Sequence, residues 1–212
     1  MPSVPASPDL LPSALAARLL HDVKGALSGV VSGLDLLADP ALRDMHADAL
    51  ALARDSVRGL ADRLTFLQTV YGSSAARIGA ETLESLASGL FADSRARLVW
   101  SMTGAELPAA AGRVLLGLVD IAQSALLGGG EARVSVQTAG ADIHIRLAAT
   151  GTRVRFAPET LDGLAGRPFS HGLAGKWAPA YYLWTLTTAC GGDVALRADD
   201  AGVTFEATLA GA

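Results

Sequence analysis

Two long stretches of helical period meet at Asp39-Pro40, and that junction limits what the chain can become. The first runs from about Ser13 to Leu37 and the second from about Ala41 to Tyr71. Proline lacks a backbone N–H and its ring collides with the preceding turn, so one helix cannot continue through residue 40. Two helices joined by so tight a turn form an antiparallel hairpin. On a wheel at about 100° per residue, Leu15, Leu19, Val23, Ala26, Val30, Leu34 and Leu37 share one stripe, flanked by Leu20 and Leu27. The second helix repeats apolar residues at Met45, Ala49, Leu52, Leu60, Leu64, Leu67 and Val70, and Gly72-Ser73-Ser74 closes it. A hairpin can hide each stripe from only one neighbour. Two copies pairing into a four-helix bundle would bury the rest, which predicts a homodimer; the alternative is that the second half of the chain folds back over the hairpin.

The totals exclude several classes. Half of the 212 residues are hydrophobic and 18% are charged, which is ample material for a core. A net charge of −4 with no dense Lys/Arg run argues against nucleic acid as a partner. Cys190 is the only cysteine, so neither an internal disulfide nor a thiolate metal cluster is possible. No apolar run approaches the roughly 20 residues that span a bilayer, and the N-terminus lacks the order of a signal peptide. The expectation is a cytoplasmic protein with no membrane partner.

Residues 1–12 carry four prolines and two serines, and predict a flexible N-terminus that ends where Ser13 caps the first helix. Residues 13–75 are the hairpin and 76–212 a second unit. In that unit Glu81 to Phe91 reads as a short helix, Arg97 to Met102 as a strand, and Leu107 to Leu127 as a buried helix closed by Gly128-Gly129-Gly130. Ala132 to Thr138 and Ile143 to Ala148 alternate like paired strands. A glycine-rich loop leads into a helix from about Lys176 to Cys190, and Val194 to Arg197 with Val203 to Leu209 reads as a closing hairpin. The fold class is therefore α+β: a helical hairpin followed by a two-layer α/β sandwich, one helical face over a largely antiparallel sheet.

His21 stands about 170° from the centre of the first helix's apolar stripe, among Arg18, Gly25, Ser28, Ser32 and Asp35. A histidine facing water from a rigid helix, with small neighbours, is open to a partner's approach. His46, His144 and His171 have no metal-ligand spacing and are read as structural, with His46 facing out from the second helix. Trp177, Tyr181, Tyr182 and Trp184 read as core aromatics of the last helix.

His21-Asp22-Val23-Lys24 at the start of a helical hairpin, followed by an α/β unit of this size, resembles the core of a sensor histidine kinase. There the motif is His-[Glu/Asp]-hydrophobic-basic, although Gly25-Ala26-Leu27 departs from the usual [Asn/Thr]-Pro-Leu. By the same resemblance Leu115 to Gly130 stands where the kinases' asparagine-bearing helix lies. Ala149-Thr150-Gly151-Thr152 stands at their adenine box and Gly172-Leu173-Ala174-Gly175 at their second glycine box. The nucleotide ligands are missing. The chain contains no asparagine, Asp120, Gln123 and Ser124 occupy the helix instead, and no Asp-x-Gly-x-Gly occurs. A live histidine beside a degenerate nucleotide domain is similar to the ChpT-type histidine phosphotransferases of alphaproteobacteria. Gly151-Thr152-Arg153-Val154-Arg155, Tyr181-Tyr182 and Cys190-Gly191-Gly192 echo that family as well.

The resemblance implies a phosphotransferase that shuttles a phosphoryl group through phospho-His21, from the receiver domain of a hybrid histidine kinase to response regulators. Asp22 would accept the Nδ1 hydrogen bond and orient the imidazole. Arg18 and Lys24 would attract a receiver's acidic pocket, and Gly25, Ser28 and Ser32 would form a low-relief face for it; packing inside the bundle is the equal alternative for those three. No ATP and no metal would be bound by this chain, with Mg²⁺ belonging to the partner receiver. Gly25 lacks the carboxamide or hydroxyl with which kinases place a hydrolytic water, so little phosphatase activity is expected. A divergent ATP-dependent kinase and a non-catalytic module that binds response regulators are the other readings.

Overall fold

A computed structural model describes residues 10–72, 76–169, 172–199 and 202–210. Helix α1 spans Leu11–Ala38, with Pro12 in its first turn, where a missing N–H costs nothing. The helix thus starts ahead of Ser13, no side chain caps it, and Leu11 and Pro12 belong to it rather than to a flexible lead; residues 1–9 lie outside the described set. At Asp39 the chain turns extended, and the Asp39 carboxylate accepts from Ala41 N at 2.9 Å. That cap starts a 3₁₀ turn, Pro40–Met45, so α2 (His46–Tyr71) begins five residues later than the periodicity suggests. Its C-cap is Gly72; Ser73 and Ser74 lie outside the described residues.

The two helices close on small residues. A Cβ on Gly33 would lie 2.8 Å from the Ala49 carbonyl oxygen and 2.9 Å from the Ala53 backbone nitrogen. Only glycine permits that approach, because backbone atoms cannot step aside. Gly33, Ala49 and Ala53 are accordingly buried while larger apolar neighbours are not.

The rest of the chain is a two-layer unit. Strands β2 (Ala96–Met102), β4 (Gly130–Ala139), β5 (Asp142–Thr150), β7 (Gly202–Ala210) and β6 (Asp193–Asp199) form a sheet in the order β2-β4-β5-β7-β6. Only the β2–β4 pairing is parallel. Burial alternates along β5, so Ile143, Ile145, Leu147 and Ala149 face the helices and the other side of the sheet faces solvent. Helices α3 (Ala80–Gly89), α4 (Ala109–Ala125) and α6 (Ala178–Ala189) cover the inner face, and α4 lies at the centre with Leu115, Leu116 and Leu118 fully buried. Three short elements depart from the pattern read from sequence: strands β1 (Arg77–Gly79) and β3 (Glu106–Pro108), which pair, and helix α5 (Pro158–Leu164); β3 takes Leu107 and Pro108 from the start of the expected helix, so α4 begins at Ala109.

The hairpin's apolar excess is covered from within the chain on one side only. Near the base, Phe66, Leu67 and Val70 of α2 belong to the same buried cluster as α4, and Leu19 packs against it. The Tyr182 hydroxyl on α6 donates to the Val70 carbonyl at 3.1 Å, with its ring 5.1 Å from that of Tyr71. Gly175 lies against α1, where a Cβ would come within 3.1 Å of the Ala14 carbonyl oxygen and 3.3 Å of the Arg18 nitrogen. On the other side nothing among the described residues covers the hairpin. Leu20, Leu27, Val31 and Leu34 on α1 and Leu50, Val57 and Leu64 on α2 remain exposed. Leu34 and Leu64, expected on inner stripes, therefore belong to outer ones, and Met45 and Leu52 are exposed too. His46 does not face out: it is half-buried, with Nε2 enclosed.

Candidate functional site

His21 lies three turns into α1, and its side chain is 82% exposed. Asp22, its neighbour in sequence, points around the helix towards α2 and is 10% exposed. Consecutive residues on a helix diverge by about 100°, so one can meet solvent while the next is enclosed. Asp22 nevertheless keeps an oxygen near the ring: Oδ1 is 3.5 Å from His21 Nδ1, a long contact. The same oxygen is 3.1 Å from Arg18 Nε, one turn earlier, but that N–H is not aimed at it, so Arg18 contributes charge rather than a hydrogen bond.

The other carboxylate oxygen carries the strongest contact. Arg63 on α2 donates from Nη2 to Asp22 Oδ2 at 2.7 Å, and from Nη1 to Asp120 Oδ1 at 2.8 Å. Asp120 belongs to α4, so one guanidinium joins both hairpin helices to the α/β unit. Arg63 also stacks over the Phe66 ring, 5.1 Å from its centroid. Burial opposes ionisation of Asp22, yet the Arg63 hydrogen bond and the charges of Arg18 and Arg63 outweigh it, holding the carboxyl below its usual value. Burial likewise works against the charged Arg63, and its two carboxylate partners more than reverse that. Tyr71 is pushed well above the ordinary phenol by burial and then by the Asp120 charge.

Of the residues singled out in the sequence, Arg18, Asp22 and His21 converge. Lys24, Gly25, Ser28 and Ser32 do not join them, and lie exposed on the outer side of α1. A Cβ on Gly25 would meet nothing within 4 Å, and the Ser28 hydroxyl donates back to the Lys24 carbonyl at 3.0 Å. Among the described residues no helix packs on that face. His144 is exposed, with Nδ1 3.4 Å from Thr208 Oγ1. His171 lies outside the described residues. Tyr181 is buried, whereas Trp177, Tyr182 and Trp184 are half-buried. No three of His, Cys, Asp and Glu converge as metal ligands would among the described residues.

Arg63 escapes sequence reasoning because it reads as one more charge on an amphipathic helix. Asp120 leaves a signal: it is the lone charge in the apolar run Val114 to Ala122. Beside these two residues a groove of about 850 Å³ opens between α2, α3 and α4, lined by Arg18, Arg63, Phe66, Asp120, Gln123 and Ser124 among others.

Residues 80–202 match the model of the histidine phosphotransferase C-terminal domain family. The chain belongs to that family. Over 196 residues it is 23% identical to the protein phosphotransferase ChpT of Brucella abortus (strain 2308), covering 91% of this chain and 92% of the relative. A solved bacterial phosphotransferase superposes with a TM-score of 0.86 at 23% identity, over 97% of this chain and 98% of that one. The histidine kinase domain of the Erythrobacter litoralis EL346 blue-light activated kinase superposes with a TM-score of 0.51 at 10% identity, over 90% and 94% of the two chains. The α+β architecture expected from the sequence is thus that of a phosphotransferase with a kinase-like fold. The protein is a histidine phosphotransferase of a phosphorelay, a family that implies response-regulator partners. Among the described residues no helix is long and apolar enough to cross a membrane.

Proposed function

We propose that His21 is the phosphoacceptor and that Asp22 orients it. The observation that carries this reading is an imidazole held out on a rigid helix, with a buried carboxylate at Nδ1. A proton kept on Nδ1 leaves the Nε2 lone pair in the ring plane, ready for in-line attack on a receiver's aspartyl phosphate. The P–N bond forms as the acyl P–O bond breaks, and the bonding pair leaves on the receiver's carboxylate. The ring gains positive charge, which Asp22 stabilises without taking the proton, because its carboxyl is held in the ionised form. The reverse sequence passes the phosphoryl group to the next receiver. In this reading the donor is the receiver domain of a hybrid histidine kinase, and the acceptors are response regulators in the cytoplasm. The Mg²⁺ would be held by the receiver, where it would supply positive charge against the transferring phosphoryl.

Lys24, Gly25, Ser28 and Ser32 form the receiver's landing strip beside His21, and Arg18 adds positive charge at its edge. Their exposure supports this use over packing within the chain. With no polar side chain at residue 25 to place a water, the phosphoryl group is passed on rather than hydrolysed. The bare apolar stripes of α1 and α2 support a homodimer built as a four-helix bundle.

ATP plays no part in this reading. Asp120, on the helix that corresponds to the kinases' asparagine helix, is committed to Arg63. Gly151, at the position of the adenine box, is packed on backbone: a Cβ there would lie 2.7 Å from the Gly129 carbonyl oxygen. These residues do not fit a Mg–nucleotide.

The test is transfer from a radiolabelled, phosphorylated receiver to the wild-type protein and to His21→Ala, beside a control with labelled ATP alone. Label should reach only the wild type and only from the receiver. Label on His21→Ala would place the phosphoacceptor elsewhere, and label taken from ATP would make the protein a kinase.

A further inference from the structure

We infer that Arg63 is a positioning residue for phosphotransfer: anchored by Asp120 on α4, it holds the Asp22 carboxylate in place against His21. The inference rests on the reading of His21 as phosphoacceptor and adds a role for the degenerate domain. That domain sets the geometry of a histidine it does not touch.

The geometry is specific to a guanidinium. Its two terminal nitrogens are fixed in one plane, and here each meets a different carboxylate, at 2.7 Å and 2.8 Å. The Phe66 ring, at 5.1 Å, restricts the plane from one side. The side chains of Arg63, Asp22 and Asp120 are 20%, 10% and 17% exposed, so water cannot readily replace a lost partner. With Arg18, the cluster balances two positive charges against two negative ones. Asp22 is short, and fixing Oδ2 fixes Oδ1 as well. Held on Arg63, Oδ1 faces His21 Nδ1; freed from it, the carboxylate could rotate onto Arg18, whose Nε already lies 3.1 Å away. The ring would then lose the group that selects its tautomer. A free neutral imidazole favours the proton on Nε2, which would occupy the nucleophilic nitrogen.

Two substitutions test this in the full-length protein. Arg63→Lys keeps the charge but loses the planar fork that fixes each carboxylate on its own nitrogen. Asp120→Asn nearly preserves shape, and touches neither His21 nor Asp22. The first readout is the His21 tautomer by ¹⁵N-detected long-range NMR at about pH 8, where an ordinary imidazole is neutral; His21→Gln identifies the signal among the four histidines. The second is single-turnover phosphoryl transfer from a phosphorylated receiver, with receiver affinity measured separately. The wild type should show Nδ1–H. Both variants should shift towards Nε2–H and slow transfer about tenfold or more, with receiver affinity unchanged.

A wild-type tautomer in both variants would overturn the inference, whatever the rate does. Should Arg63→Lys fail to fold, Asp120→Asn decides alone. Failure of the phosphoacceptor assignment is separate, because it would appear as label on His21→Ala.

Discussion

Leu27 offers the sharpest test of how the hairpin completes its core. Burying a leucine fully is worth about 1.5–3 kcal/mol. Leu27 is still 46% exposed, so about 1 kcal/mol of that remains to be gained by each protomer. Leu27→Ala removes it twice per dimer, about 2 kcal/mol, which weakens the dimer roughly 30-fold. Summed over Leu20, Leu27, Val31, Leu34, Leu50, Val57 and Leu64, the same reasoning yields about 14 kcal/mol per dimer, against an association cost of about 4–15 kcal/mol. The balance is narrow enough that one substitution registers. Leu27→Glu, which must also bury a charge, should leave only monomer. Sedimentation equilibrium reads both changes, and Leu127→Ala is the control: Leu127 is 76% exposed but lies off the hairpin, so its loss should change nothing. A wild-type protein that sediments as a monomer at about 100 μM, or a dimer indifferent to Leu27→Glu, would refute the reasoning.

Gly33→Ala should lower stability by about 1–3 kcal/mol in a urea titration, because the new methyl meets the backbone of Ala49 and Ala53. Gly25→Ala, mid-helix on the open face, should instead raise stability by about 0.5–1 kcal/mol, because the new methyl meets nothing and alanine is the better helix former. The Asp22 carboxyl is held below its ordinary value, so its contribution to stability is complete above about pH 4 and fades as pH falls through the depressed folded value. Thermal melts from pH 7 down to about pH 2 should therefore show an acid-sensitive component that is absent from Asp22→Asn, and identical profiles would contradict the clamp.

The helical hairpin, the α/β unit behind it and the exposure of His21 are all legible in the residue pattern. Each follows from local rules: the period of apolar residues, the veto of proline, and the alternation of a half-buried strand. The misses have physical causes as well. The start of α2 moved because the Asp39 side chain caps a 3₁₀ turn that periodicity does not encode. Leu34 and Leu64 changed faces because small residues, Gly33, Ala49 and Ala53, took the tight seam and turned the larger ones outward. Strands β1 and β3 are three residues each, too short for any alternation to register.

What the sequence determined by itself is the supply of parts: a histidine outside the apolar stripe, a carboxylate beside it, and an α/β unit without a single asparagine. The tertiary structure alone decided how they are joined. Arg63 is 41 residues from Asp22 and 57 from Asp120 along the chain. No local period links such positions; only the packing of α2 between α1 and α4 brings one guanidinium within reach of both carboxylates.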